Sequence, residues 1–245
     1  MSALPSSPGL PATAEDALAF TPAQLTETLN GEPAHAALVL RALAGFGHAD
    51  AQAVLGQWLI DGVHVPRDPQ AALELFTRAA AQGNVTAINM VGRCHENGWG
   101  TPVDFFAASN WYRQAAQKGL DAAMYNYANL LQSGRGVPQD HATAVALYRE
   151  AADLGHAKSM TKIGRYFEDG LVLEKDPEAA FFCYREAAQG GDFRGAFCYA
   201  GMLAQRGQHE EALQWLRKVV GGATRAYLLE AGTLLESSPD AAFRG

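Results

Sequence analysis

The side chains with the widest chemical repertoire in this chain are seven histidines and three cysteines. His35, His48, His64, His95, His141, His156 and His209 could ligate zinc or carry protons. A helical zinc site, however, needs histidines four residues apart or paired cysteines, and neither spacing occurs. His95 and Glu96 are adjacent, which sends their side chains in different directions from a helix. Cys94, Cys183 and Cys198 form no ligand motif, and one is left over under any disulfide scheme. A cysteine nucleophile needs a neighbouring base and a lowered pKa, and the sequence points to neither. There is no G-x-S-x-G, no P-loop, and no G-x-G-x-x-G opening a helix after a strand. The triplets "GWG" (98–100) and "GRG" (134–136) read as turn glycines. The expectation is no catalytic residue, no metal and no cofactor: not an enzyme.

Composition narrows the class further. Apolar residues make up 48% of 245, enough for a core. The formal charge of −7 disfavours nucleic acid and anionic membrane as partners. No apolar run approaches the ~18 residues of a membrane span, and no Lys or Arg precedes Arg41, so a basic signal region is not expected. With the unpaired cysteines, this gives a cytoplasmic location as the expectation.

The elements that would position any site announce themselves by repetition. "LFTRAAAQG" (75–83), "WYRQAAQKG" (111–119), "LYREAADLG" (147–155) and "CYREAAQGG" (183–191) recur at a spacing of 36 residues. Other columns keep the same register: Gly56, Gly92, Ala128 and Gly164; Gly62, Gly98, Gly134 and Gly170; Asp68, Asp104, Asp140 and Asp176; Phe76, Tyr112, Tyr148 and Tyr184. Each column has a physical reading. A first helix, A, runs from about residue 50 to Asp61, and the small residue at Gly56 admits a close neighbouring helix. Gly62 supplies the left-handed residue that ends helix A. Asp68 caps a second helix, B, and Pro69 fits its first position. Ala72, Leu75, Phe76 and Ala79–Ala80 form one apolar stripe. Two short helices cannot bury that stripe alone, so neighbouring units must stack. The fold expected is all-α, a right-handed α-solenoid of stacked antiparallel helix pairs.

These residues carry a resemblance. "LGQWLIDGVHVPRDPQAALELFTRAAAQG" and "SGRGVPQDHATAVALYREAADLG" resemble the Sel-1-like repeat, a longer-looped relative of the tetratricopeptide repeat. The organisation expected is a disordered tail (1–13), N-terminal capping helices (14–47), and four repeats (48–83, 84–119, 120–155, 156–191). A tetratricopeptide-like unit without the long loop (192–222) follows, then a C-terminal capping helix and tail (223–245). The resemblance implies a bacterial, noncatalytic adaptor that binds a protein or peptide partner. Some relatives are linked to β-lactam handling, which makes a hydrolase-like or ligand-processing protein the alternative. Docking of one solenoid into another is a third form of partnering.

If the tetratricopeptide register carries over, the A helices line a concave groove. That assigns Asn89, Arg93, Tyr125, Asn126, Asn129, Lys162, Arg165 and Tyr199 to it. Arg and Lys suit carboxylates, amides suit peptide backbone, and Tyr suits side-chain packing. Asn89, Arg93, Asn126, Lys158 and Lys162 are similar to the two-carboxylate clamp of chaperone-tail-binding tetratricopeptide domains. The pattern departs at Asn89, where that family has Lys.

Overall fold

The computed structural model describes residues 9–222, and among them the chain is helical, with thirteen helices and no strand. Three helices come first: α1 (Ala14–Leu18), α2 (Pro22–Leu29) and α3 (Pro33–Gly45). Four A–B pairs follow: α4 (Ala49–Asp61) with α5 (Pro69–Ala81), and α6 (Val85–Asn97) with α7 (Phe105–Gln117). Next come α8 (Asp121–Ser133) with α9 (His141–Asp153), and α10 (Ala157–Asp169) with α11 (Pro177–Gln189). A last pair is α12 (Phe193–Gln205) and α13 (His209–Gly222). The expected tail falls partly outside the described residues, and the expected C-terminal helix wholly so; Thr13 is already the N-cap of α1.

The aspartate column does two jobs in every repeat. Its carboxylate caps helix B by accepting an N–H three residues on: Ala71 to Asp68 at 3.0 Å, Ala107 to Asp104 at 2.9 Å, Thr143 to Asp140 at 3.0 Å, and Ala179 to Asp176 at 3.0 Å. Each cap is worth about 1 kcal/mol. The same aspartates donate their own N–H back to helix A, to the carbonyls of Leu59, His95, Leu131 and Phe167, at 2.9–3.0 Å. Loop closure and helix initiation thus depend on one residue type. The hydroxyl of Thr143, donating to Asp140 at 2.6 Å, and then the Thr143 N–H hold the Asp140 carboxyl below the usual carboxylate range.

Two compact units divide the chain: residues up to Ala123 with Gly134–Pro138, and Met124–Ser133 with residues from Gln139 on. In the first, Leu40, Leu43, Phe20 and Leu25 of the N-terminal helices bury against Ala51 and Leu55 of α4. In the second, Phe181, Tyr184, Tyr199 and Leu203 form a cluster with Ala212 and Val219 of α13.

The small-residue column admits an aromatic ring of the neighbouring helix. A Cβ at Gly56 would lie 2.7 Å from the Phe76 ring, one at Gly92 2.7 Å from Tyr112, and, in the second unit, one at Gly164 2.7 Å from Tyr184. These rings are essentially inaccessible to solvent, and each phenol therefore needs a partner. Tyr112 donates to Glu96 at 2.5 Å, and Tyr184 to Glu168 at 2.6 Å. Tyr148 meets Asn129 at 2.8 Å and Gln132 at 3.0 Å. In the first repeat the ring is Phe76, which has no hydroxyl, and the position matching Glu96 holds Ile60, itself buried.

The final pair departs from this plan for a visible reason. α4, α6 and α10 end on a left-handed glycine, but α12 ends on right-handed Arg206 followed by Gly207 at φ +76°. That is how the B helices end, with Gly83, Gly119, Gly155 and Gly191 at φ +86 to +92°. The glycine consequently stands one place late, and α13 starts within three residues.

Candidate functional site

Polar side chains of three successive A helices, α8, α10 and α12, meet in a recess of about 330 Å³ within the second unit. It is lined by Tyr125 and Asn129 of α8, by Lys158, Thr161, Lys162 and Arg165 of α10, and by Asp192 and Arg194 at the start of α12. Four cations thus face one carboxylate, on a chain of net charge −7. One oxygen of that carboxylate is occupied, and its Oδ1 is buried without a hydrogen-bond partner. Asp192 is 4% exposed, and its Oδ2 accepts the Thr161 hydroxyl at 2.5 Å and the Gly195 N–H at 3.2 Å, so it caps α12 and ties it to α10.

Lys162 is held in place. Its Nζ donates to Gln132 Oε1 at 3.0 Å and lies 5.9 Å from the centre of the Tyr148 ring. Burial, then repulsion from Arg165 and Arg194, pushes its ammonium down to about 8. Asn129 accepts from Tyr148 and is also hydrogen-bonded to the Tyr125 phenol. Tyr125 packs its ring against His156, centroids 4.8 Å apart, and burial raises its phenol above the ordinary value.

Among the residues assigned to a groove from sequence, Tyr125, Asn129, Lys162 and Arg165 come together here. Asn126, on the same helix, is half-buried and does not line the recess. Arg93 lies in the first unit, half-buried, with its guanidinium 5.1 Å from the centre of the Trp99 ring and Nη1 3.5 Å from Met90 Sδ. Two assignments need correction. Asn89 is 6% exposed, because its turn of α6 faces inward among Ile88, Met90 and Val91. Tyr199 is 5% exposed, its ring packed 5.0 Å from Phe181 and 5.7 Å from Trp215 between centroids. The shortened last connection brings α13 against it.

Sequence reasoning missed Arg194, Asp192 and Gln132. A signal was there for Arg194, which stands 36 residues after Lys158, so two successive repeats place a cation in the first turn of helix A. Asp192 reads from sequence as an ordinary cap.

Elsewhere the chemistry is quiet. Burial pushes the Cys94 thiol up to about 11 and raises Cys183 and Cys198, the direction opposite to an activated nucleophile. Among the described residues no three His, Cys, Asp or Glu side chains cluster for a metal, and no helix is long and apolar enough to cross a membrane.

Stacked helix pairs of fixed length, joined by alternating long and short connections, define a helical repeat protein. A profile of the Sel1 repeat matches residues 49–84, 85–120, 121–156 and 157–192, and the chain belongs to the Sel1 repeat family. No curated protein matches the sequence. Solved structures share the fold. A Sel1 repeat protein from Oxalobacter formigenes is 23% identical with a TM-score of 0.76, covering 90% of this chain and 95% of its own. The protective antigen c5321 of uropathogenic Escherichia coli, which displays an SLR fold, is 24% identical with a TM-score of 0.68. That match covers 91% of this chain but only 49% of c5321, so the chain spans about half its length. The immunity protein Pa5087 from Pseudomonas aeruginosa is 18% identical with a TM-score of 0.58, covering 86% of this chain and 88% of its own.

Proposed function

We propose that this chain is a noncatalytic interaction scaffold that holds a partner protein, or an extended segment of one, against α8, α10 and α12. Sel1 repeats commonly serve protein–protein interaction, which supports the class. The observation that carries the particular surface is the basic recess, whose exposed Lys158, Arg165 and Arg194 stand on an otherwise acidic chain. Cations meet carboxylates or other oxyanions of the partner, and the Tyr125 ring packs a side chain. Asn126 flanks this surface, and Arg93 offers a separate cation on the first unit. A hydrolytic role would need an activated nucleophile, and the three thiols are shifted the wrong way for one. We place the protein in a reducing cytoplasm, in keeping with its free cysteines.

The test is affinity capture from the native lysate with wild type, with Lys162→Glu/Arg165→Glu, and with the helix-B control Arg149→Glu/Arg185→Glu. Circular dichroism establishes that all three are folded. A partner retained by wild type and the control but lost from the recess variant supports the proposal. Equal retention by all three sinks it, and a mass that doubles with concentration points to self-docking instead.

A further inference from the structure

We infer that the loop between α10 and α11 docks, through Leu171 and Val172, into an apolar pocket that α4 and α6 form on a second copy of this chain. This contact lies outside the recess and leaves the recess to its own partner.

The tip of that loop is held at a cost. Val172 sits at φ +67°, a conformation unfavourable to a β-branched side chain, and is 53% exposed beside Leu171 at 45%. In the second and third repeats the same place is glycine. Gly100 presses there against the backbone of Pro69–Gln70, and Gly136 against that of Phe105–Phe106. No side chain can seat so closely, so valine gives up that packing and keeps the strained backbone. Strain held at an exposed apolar tip, with no burial to offset it, points to a use outside the fold of the single chain.

The first unit carries the complement. Ala53, Val54, Gln57 and Trp58 of α4 face Thr86 and Met90 of α6 around a pocket of about 270 Å³ with no charged residue in its lining. That lies below the ~300–1,000 Å³ of small-molecule sites, a size that suits branched aliphatic side chains.

Charge beside the pocket selects the occupant. Gln57 holds the exposed Asp61 carboxylate by a hydrogen bond of 2.7 Å, and Met90 Sδ lies 3.5 Å from Arg93 Nη1, so an acid and a base stand next to the lining. Among the described residues neither belongs to an ion pair. The loop bears the opposite charges just past Val172, at the exposed Glu174 and Lys175, which are also outside the ion pairs. In the docked pair Glu174 meets Arg93 and Lys175 meets Asp61, which fixes the register of the contact. Phe106 and Leu154 are exposed too, but no Lys or Arg lies within three residues of either. Phe182 already lies under the Arg185 guanidinium, 4.9 Å away. Loop and pocket are different surfaces of one chain, so docking closes reciprocally in a two-fold dimer or continues head to tail.

The experiment is sedimentation velocity of the full chain over a concentration series. It compares wild type, Val172→Gly, Arg93→Glu, Arg93→Glu/Glu174→Arg and the recess variant Lys162→Glu/Arg165→Glu, each checked for folding by circular dichroism. Val172→Gly relieves backbone strain, so association lost in it is not lost through unfolding. We expect the mass of wild type to rise with concentration. The dissociation constant should increase about tenfold or more in Val172→Gly and in Arg93→Glu, and the charge-swapped double variant should recover most of the loss. The recess variant should associate as wild type does. Wild type that stays monomeric throughout, association unchanged by Val172→Gly, or a double variant no better than Arg93→Glu overturns the inference. Association kept in Val172→Gly but lost in the recess variant also overturns it and assigns self-docking to the recess. If Arg93→Glu fails to fold, Val172→Gly decides. Partner capture is read from the recess variant and self-association from Val172→Gly, so either reading can fail without the other.

Discussion

Tyr112 and Glu96, sixteen residues apart in sequence, meet at 2.5 Å with the phenol donating to the carboxylate. The relationship repeats at Tyr184–Glu168 and is replaced as a whole at Phe76–Ile60, where hydroxyl and acceptor are both missing. A buried polar pair is replaced safely only when both members change. Tyr112→Phe should therefore cost about 1–2 kcal/mol, and adding Glu96→Ile should return most of it, because the double variant copies the first repeat. Urea denaturation of the four proteins in the cycle measures the coupling, and strictly additive losses would contradict it.

The glycine beneath the ring should tolerate no side chain. Gly92→Ala places a Cβ 2.7 Å from the Tyr112 ring and should cost about 1–3 kcal/mol through overpacking. The third repeat carries Ala128 together with Tyr148, so a repeat can be built around alanine, and the cost at Gly92 lies in a ring already seated against glycine. A midpoint unchanged in urea would refute this.

Strain sits in one loop column. Gly100 and Gly136 hold φ near +70°, pressed against the backbone at Pro69–Gln70 and at Phe105–Phe106. The matching residues elsewhere are His64 at φ +62° and Val172 at φ +67°. A β-branched residue pays most for this conformation, and Val172 is 53% exposed, with little burial to offset it. Val172→Gly should raise Tm by about 2–4 °C, equivalent to ~1 kcal/mol for a chain of this size. A fall in Tm would show that packing of Val172 outweighs its strain.

Lys162 should trade stability for binding. Its folded-state pKa is about 8, below the ordinary value of 10.5, so the unfolded chain holds its proton more tightly. Stability then increases as pH rises from about 8 to about 10.5, and the burden of the charged form is fully present below about 8. Arg165 and Arg194 oppose the charge, while Lys158 and the carboxylate of Asp192 line the same recess. Lys162→Met should raise Tm near neutral pH by about 2–4 °C, with the advantage fading above about pH 10. Calorimetric scans at several pH values check this, and an advantage independent of pH would contradict the assignment.

The repeat frame was legible because each column reports a local rule that tertiary contacts do not override. Asp at a helix start, Gly at a helix end and Ala beside an aromatic mean the same thing in every copy. The coupled replacement of Tyr and Glu by Phe76 and Ile60 was not legible, because only the structure pairs the two columns. The groove was legible only in part. A register borrowed from tetratricopeptide repeats points to Lys162 and Arg165, which line the recess, but it says nothing of depth and so takes in Asn89 and Tyr199, both buried. Tyr199 depended on where α13 lands, which the shortened loop decides. Arg194 depended on reading the first turn of α12 as the successor of Lys158.

The most direct test of the account is site-specific photo-crosslinking in cells. A benzophenone side chain placed at Lys158, on the recess, is compared with one at Arg149, on α9. The account predicts an adduct of discrete mass from position 158, absent from position 149 and lost when Lys162→Glu is added. Adducts of equal yield from both positions, or an adduct at 158 indifferent to Lys162→Glu, would contradict it.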